Sequence, residues 1–317
     1  MVLLTSWLML ACEQHHVHNV ESVTDDFVQK YTYNNKVDIV WVIDTSMTMA
    51  QHQTILAAQI PELVLQLNKL KMDYRMVAVS TDISPSGPGG KFLGEPKVIN
   101  AKTKNFEALL RQRIIFGETQ SPMERGLESL RMTFDPYYLQ TEGKGFLRPD
   151  AMLVVNVLSN EDDDSGQTAQ YWADYFDSVK PRWVDGSRSW ILNFIGVLAV
   201  NSGCSTFGNY AEPGALFMAL ADMSNGVKES ICTTNLGKAV SNIRARLMEV
   251  ITEYKLSRFP EVSSIVVRID NILVPQDIIN GWSYNERRNS IYFHGAWVPK
   301  ADSKIVVDFV PDLARSE

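Results

Sequence analysis

Where apolar residues run together and where they alternate divides the chain near residue 254. Before it, near-continuous apolar runs at 37–43, 74–80, 151–159 and 189–198 are each followed by a segment of helical spacing. Uninterrupted runs of that length predict strands buried on both faces, as in parallel sheets. The first, VDIVWVI, has Asp38 as its one polar break. The segment after it, 50–70, places Leu56, Leu63, Leu67 and Leu70 on one stripe. Further helices are predicted over 105–116, 171–179, 213–223 and 237–254, with a short edge-like strand at 227–232. After 254 only short strands bounded by turn residues remain, at 264–269, 281–284, 290–293 and 304–310, with a hairpin loop at 285–289. Alternating strands and helices followed by strands alone predict an α/β fold. Its sheet is doubly wound, mostly parallel and Rossmann-like, and a small C-terminal all-β module follows. A module of about 60 residues is marginal alone, so it is expected to pack on the larger domain or to borrow a strand from residues 25–35.

The first apolar run stops at Asp44, and Ser46 and Thr48 follow at alternate positions before the helix. Ligands of open α/β sheets bind beyond the carboxyl ends of the strands. A D-x-S-x-T turn there offers one carboxylate and two hydroxyls to a single point. These are hard oxygen donors suited to Mg²⁺ or Mn²⁺, with Ca²⁺ a further option. The bland alternative is that Ser46 or Thr48 only caps the helix.

The stretch VDIVWVIDTSMTM resembles the first strand and metal-site loop of a von Willebrand factor A domain, especially those of bacterial lipoproteins. Met47, where the pattern prefers Gly, and Thr48, where it has Ser, depart from it. The resemblance implies a metal-ion-dependent adhesion site in which Ser46 and Thr48 ligate the ion and Asp44 holds it largely through water. It also implies a third hydroxyl five residues ahead of a small residue followed by an apolar one. Counting back from Gly126 gives Ser121, with Pro122 at the first helical position and Thr119 in reserve. The alternative for Ser121 is an N-cap completed by Glu124 in a capping box. A second motif of such domains is matched by Ser80-Thr81-Asp82 with Gly90-Lys91-Phe92, making Asp82 an accessory candidate. Where these domains carry the last metal-site Asp, this chain has Asn160, which keeps an oxygen but loses a charge. Asp162, two residues on, is the candidate to compensate. Residues 160–164 also read as an exposed acidic turn, and Gly166 comes one residue late for a calcium loop.

The chain has 317 residues and a net charge of −7. That balance argues against nucleic acid as the main partner, because phosphate binding wants a basic face. Residues 2–11 are apolar and end at Ala11-Cys12 before polar Glu13. They read as a signal segment, and Leu10-Ala11-Cys12 resembles a bacterial lipobox with Cys12 lipidated. No Lys or Arg precedes the run, and Met9 stands where a lipobox prefers Leu. A buried first helix or strand is the alternative. Residues 13–35 then form a tether. With Cys12 lipidated, Cys204 and Cys232 form the even pair that an oxidising compartment joins, or else they are two unrelated buried thiols. If their strands are neighbours, the bridge lies on the same face as the metal loop.

Enzyme signatures are missing: there is no G-x-S-x-G, H-E-x-x-H, dinucleotide fingerprint or phosphate loop. The expectation is therefore a binding protein, not an enzyme, exported and lipid-anchored in the bacterial cell envelope. It would engage a Glu or Asp carboxylate of a protein partner through the divalent ion. A metal-free envelope scaffold with a degenerate site, and then a metal-assisted hydrolase, are the alternatives.

Overall fold

The computed structural model describes residues 23–26, 35–69, 72–119, 121, 123–183, 186–201, 203–208, 210, 212–300 and 303–315. Cys12, the tether up to residue 22, the aromatic stretch 27–34, Leu70 and Pro122 lie outside them. In chain order the elements are β1 Val23–Asp26, β2 Lys36–Ile43, α1 Met49–Ala57, α2 Ile60–Lys69, β3 Asp73–Ser80, β4 Ile99–Asn100 and α3 Phe106–Ile114. Then come α4 Gly126–Thr133, α5 Pro136–Gln140, β5 Met152–Ser159, α6 Ala169–Val179, β6 Trp190–Gly196, α7 Ala215–Met223, β7 Lys228–Ser230 and α8 Gly237–Ile251. The last strands are β8 Glu253–Lys255, β9 Val266–Ile269, β10 Ile272–Leu273, β11 Trp282–Asn285, β12 Ser290–Phe293 and β13 Ile305–Phe309.

Six strands form the main sheet in the order β4-β3-β2-β5-β6-β7. All its pairings are parallel except that of β4, which runs antiparallel at the edge. The apolar runs are continuous because both faces are covered. Ile39, Trp41 and Ile43 of β2 enter the core shared with α1, α2, α3 and α8, while Val40 and Val42 enter the core shared with α4, α6 and α7. Asp38 at the opposite end of β2 is buried against Arg148, whose backbone N–H and Nε both donate to its carboxylate.

The single helix expected over 50–70 is two, because Pro61 stands near the start of α2 and has no N–H to continue α1. The chain passes from β2 to β3 on one side and returns to β5 on the other, so the crevice beyond β2 and β5 is the switch point of the sheet.

The C-terminal strands make two small antiparallel sheets, β1-β13-β9-β10 and β11-β12-β8. They share a core of Tyr254, Val267, Trp282, Ile291, Phe293, Val307 and Phe309. The strand from the N-terminal segment is Val23–Asp26, paired with β13 from Val23↔Phe309 to Asp26↔Val306.

Candidate metal centre

Asp44 follows the last residue of β2 and is 1% exposed. Its Oδ1 accepts the Ser46 backbone N–H at 2.7 Å, and its Oδ2 accepts the Ser159 hydroxyl at 2.6 Å. Ser46 Oγ donates to Asn160 Oδ1 at 3.1 Å. Asn160 Nδ2 donates to Thr48 Oγ1 at 2.9 Å and to the Met47 carbonyl at 3.2 Å. A carbonyl can only accept, so the Met47 contact fixes which end of the amide faces Thr48. Asp44, Ser46, Thr48 and Asn160 thus form one hydrogen-bonded chain across the switch point.

The capping alternative fails for Thr48. It occupies the N-cap position of α1 but makes no side-chain cap bond, and its backbone is left-handed with φ 75°. A β-branched residue there is strained, and such strain persists where the surroundings over-determine it. Glu118 performs the capping instead, its Oε1 accepting the Ala50 N–H at 3.0 Å.

Gln53, buried on α1, staples the metal loop to the loop before α4. Its amide nitrogen donates to the carbonyls of Asp44 and Gly117, and its Oε1 accepts the Gly117 N–H. Thr119 is brought in by that loop: its N–H donates to the Thr45 carbonyl at 2.6 Å and its hydroxyl to Glu124 Oε1 at 3.3 Å.

Ser121 makes its hydrogen bonds to partners other than Asp44, Ser46, Thr48 and Asn160. Its Oγ accepts the Met123 N–H at 3.1 Å, and it bonds Asp82 rather than joining the chain around Asp44. Helix α4 begins at Gly126 with Arg125 as N-cap, so the expected Ser121–Glu124 capping box does not form. The reason is packing. Gly126 lies against Val42 and Thr81, where a Cβ would come within 2.9 Å of Val42 Cγ1. The helix runs from there, and just before it Glu124 and Asp82 are bridged backbone to backbone.

Asp82 is wrapped by the glycine-rich loop, where a Cβ on Gly87 would meet its carbonyl at 2.5 Å. Burial raises its pKa, but hydrogen bonds from Ser121, Ser84 and Thr119 outweigh that and hold it below the usual range. Asp162 does not face the crevice: both its oxygens accept the Leu216 N–H at the start of α7. Asp163 likewise serves α4 through the Leu127 N–H. The acidic run is largely helix capping.

The surroundings of Asp44 are electrically one-sided. Burial raises its carboxyl, only partly offset by hydrogen bonds from Ser159 and Ser46. Glu124 is pushed up to about 7 by burial and by the charges of Asp44 and Asp82, against hydrogen bonds from Thr81 and Thr119. Glu161 is raised by burial, Asp44 and Glu212. The largest influences on all three are burial and neighbouring acidic or hydroxyl groups.

Among the described residues no three His, Cys, Asp or Glu side chains converge on one point, so an ion here would rest on hydroxyl and amide oxygens plus the charge of Asp44. Donor type and the unbalanced negative charge fit a hard divalent cation. The Asn160 amide hydrogens occupy the Thr48 oxygen and would have to turn away.

Glu124, Ser159 and Gln53 are the functional neighbours the sequence reading missed. The sequence signals were a buried polar residue one turn inside α1 and a hydroxyl ending the β5 run.

The Cys204–Cys232 disulfide closes the loops beyond β6 and β7, with Cα atoms 4.9 Å apart.

No protein-family model matches the chain, and no curated protein does. Among solved structures, proximal thread matrix protein 1 from the mussel byssus aligns over 72% of this chain and 51% of its own, at 13% identity and a TM-score of 0.42. A structure of the same protein described with a zinc-occupied MIDAS motif aligns over 72% and 50%, at 14% identity and 0.42. The pilus adhesin SpaC from Lactobacillus rhamnosus GG, in an open conformation, aligns over 86% and 38%, at 8% identity and 0.43. The chain spans about half the length of the mussel structures and 38% of the adhesin.

Proposed function

We propose that this chain is a von Willebrand factor A-type binding module of the bacterial cell envelope, tethered through a lipid on Cys12, that engages a protein partner through a divalent ion and is not an enzyme. The observation that supports this best is the chain of oxygens from Asp44 through Ser46 and Asn160 to Thr48, with the buried Asp44 carboxylate held by hydrogen bonds from Ser46 and Ser159. Ser46 and Thr48 hydroxyls would ligate Mg²⁺ or Mn²⁺, Asp44 would hold it through water, and Asn160 would offer its amide oxygen. Bound there, the ion supplies an electrophilic position for a Glu or Asp of the partner. The chain's own part is to hold those oxygens: Gln53 fixes the loops, and Ser159 and the Ser46 N–H orient the Asp44 carboxylate.

The metal-free scaffold is the second reading, and one contact favours it. The Asn160 amide already donates to the oxygen an ion would want, closing the loop without a cation.

Calorimetry with Mg²⁺, Mn²⁺ and Ca²⁺ on the parent, Asp44→Ala and Asn160→Asp separates the two. Binding lost in Asp44→Ala and tightened in Asn160→Asp is the expected result. No heat from the parent, with binding gained by Asn160→Asp, would give the scaffold reading the site.

A further inference from the structure

We infer that Glu124 supplies the second negative charge of the metal centre, the one that Asn160 lacks. The inference rests on the metal reading above and concerns which residue makes such a site competent.

Of the other acidic residues near the crevice, Glu118 is exposed and caps α1 through the Ala50 N–H. Asp162 spends both oxygens on the N-terminus of α7, and Asp163 one on that of α4 and the other on the Ser165 N–H. Asp82 is held by Ser84, Ser121 and the loop that wraps it. Glu161 is partly open to water, which screens its charge despite the burial and the nearby Asp44 that raise its carboxyl.

Glu124 differs on each count. It is half-buried, it caps no helix, and each of its oxygens accepts from a hydroxyl of the crevice wall: Oε2 from Thr81 and Oε1 from Thr119. Both walls are tied to the metal loop. Thr81 accepts the Thr45 N–H at 3.4 Å through its Oγ1, and its own N–H donates to the Ile43 carbonyl at 3.1 Å. Thr119 holds the Thr45 carbonyl through its N–H, and its hydroxyl lies 3.4 Å from that of Thr45. Two hydroxyl bonds therefore fix Glu124 to Thr81 and Thr119, which in turn make polar contacts to Ile43 and Thr45, the residues flanking Asp44.

Two hydroxyls hold this half-buried carboxylate in place beside the charges of Asp44 and Asp82, an arrangement that a positive ion would relieve. Sequence position hides it, because Glu124 comes from the loop before α4 and not from the acidic run after β5. Glu124 acts as a positioning residue here: it draws the ion by charge and is not required to touch it.

The test is Mn²⁺ and Mg²⁺ calorimetry on the full chain, comparing the parent with Glu124→Gln, Glu124→Asp and Glu161→Gln, and repeating Glu124→Gln in the Asn160→Asp background. A charge close by in a half-buried site is worth roughly tenfold or more in affinity. The expected result is a loss of that size in Glu124→Gln, partial recovery in Glu124→Asp, and little change in Glu161→Gln. In Asn160→Asp the loss on removing Glu124 should shrink, since one carboxylate is then restored. Parent binding that Glu124→Gln leaves within about twofold overturns this inference while the metal reading stands. Binding only in Asn160→Asp also overturns it, because Glu124 would then have failed to compensate. No binding in either background removes the metal reading and this inference with it. Thermal melts in chelator check that each variant folds, and a Glu124→Gln protein that melts higher than the parent is still the expected direction.

Discussion

His52 gives the sharpest stability test, because it is independent of any metal. It lies fully buried on α1, with Nε2 2.7 Å from the Tyr210 hydroxyl and Nδ1 without a hydrogen-bond partner. Its other close rings are Phe207 and Tyr210. An imidazolium would need acceptors for two N–H groups, and the site offers one. Burial accordingly lowers its pKa from 6.5 to about 4. The unfolded chain binds this proton first as pH falls, so the stability due to neutral His52 is complete above 6.5 and is lost as pH falls toward about 4. Each unit of that window is worth about 1.4 kcal/mol, which sets a ceiling of roughly 3 kcal/mol. Residual solvation of the ring brings the expected figure to about 2 kcal/mol. His52→Gln keeps a polar group facing Tyr210 but cannot charge. Urea unfolding of both proteins at intervals from pH 7.5 to 4.5, in chelator, should give a difference curve that is level above 6.5. Below it the variant should gain on the parent with decreasing pH. A difference curve that stays level down to pH 4.5 would refute the burial argument for His52.

Glu124→Gln should show the opposite pH trend in chelator. The folded pKa is raised from 4.5 to about 7, so Glu124's favourable share is present below 4.5 and lost as pH rises through 7; the variant should match the parent near pH 4.5 and exceed it by about 1–2 kcal/mol at pH 8 by urea unfolding. Thr48→Gly should raise the melting temperature by relieving the left-handed backbone, worth about 1 kcal/mol, while weakening divalent-ion binding in calorimetry. A lower melting temperature would mean the Thr48–Asn160 bond outweighs the strain. Reducing Cys204–Cys232, which span 28 residues, should cost about 3–4 kcal/mol on the loop-entropy model, read as a lower denaturant midpoint in reductant that Cys204→Ser/Cys232→Ser reproduces.

The main sheet was legible because burial on both faces writes itself as unbroken apolar runs, and β2, β3, β5 and β6 all carry one. The D-x-S-x-T loop was legible for a local reason: a strand end and alternating oxygens suffice to define it. What depended on distant packing was not. Counting back five from Gly126 gives Ser121, with Pro122 expected to open the helix, whereas α4 starts at Gly126 itself. That start is set by Gly126 meeting Val42 and Thr81, contacts no local pattern encodes. The acidic run after β5 looked like spare ligands, yet Asp162 and Asp163 are each claimed by the first turn of a helix far along the chain. Pro61 marks the break between α1 and α2, but the leucine stripe continuing across it predicts a single helix. Glu124 gave no signal as a site residue, since its partners Thr81 and Thr119 meet it only after β3 and the loop before α4 are side by side.

Asn160 and Glu124 together explain how such a crevice stays folded without an ion. An Asp at 160 would place a second carboxylate against Asp44, already 1% exposed, and would remove the donor that satisfies Thr48 Oγ1 and the Met47 carbonyl. Losing a buried donor costs about 1–3 kcal/mol, and like charges sharing a buried site add to that. With Asn160 the loop closes on itself. The remaining charge is moved to Glu124, whose half-buried carboxyl can take up a proton near neutrality when nothing positive is present. The cost of a metal-free state is thus carried by a group that can neutralise itself and not by one that would break the loop. An ion entering the crevice has to turn the Asn160 amide away from Thr48, Met47 and Ser46, three neutral hydrogen bonds worth about 1 kcal/mol each.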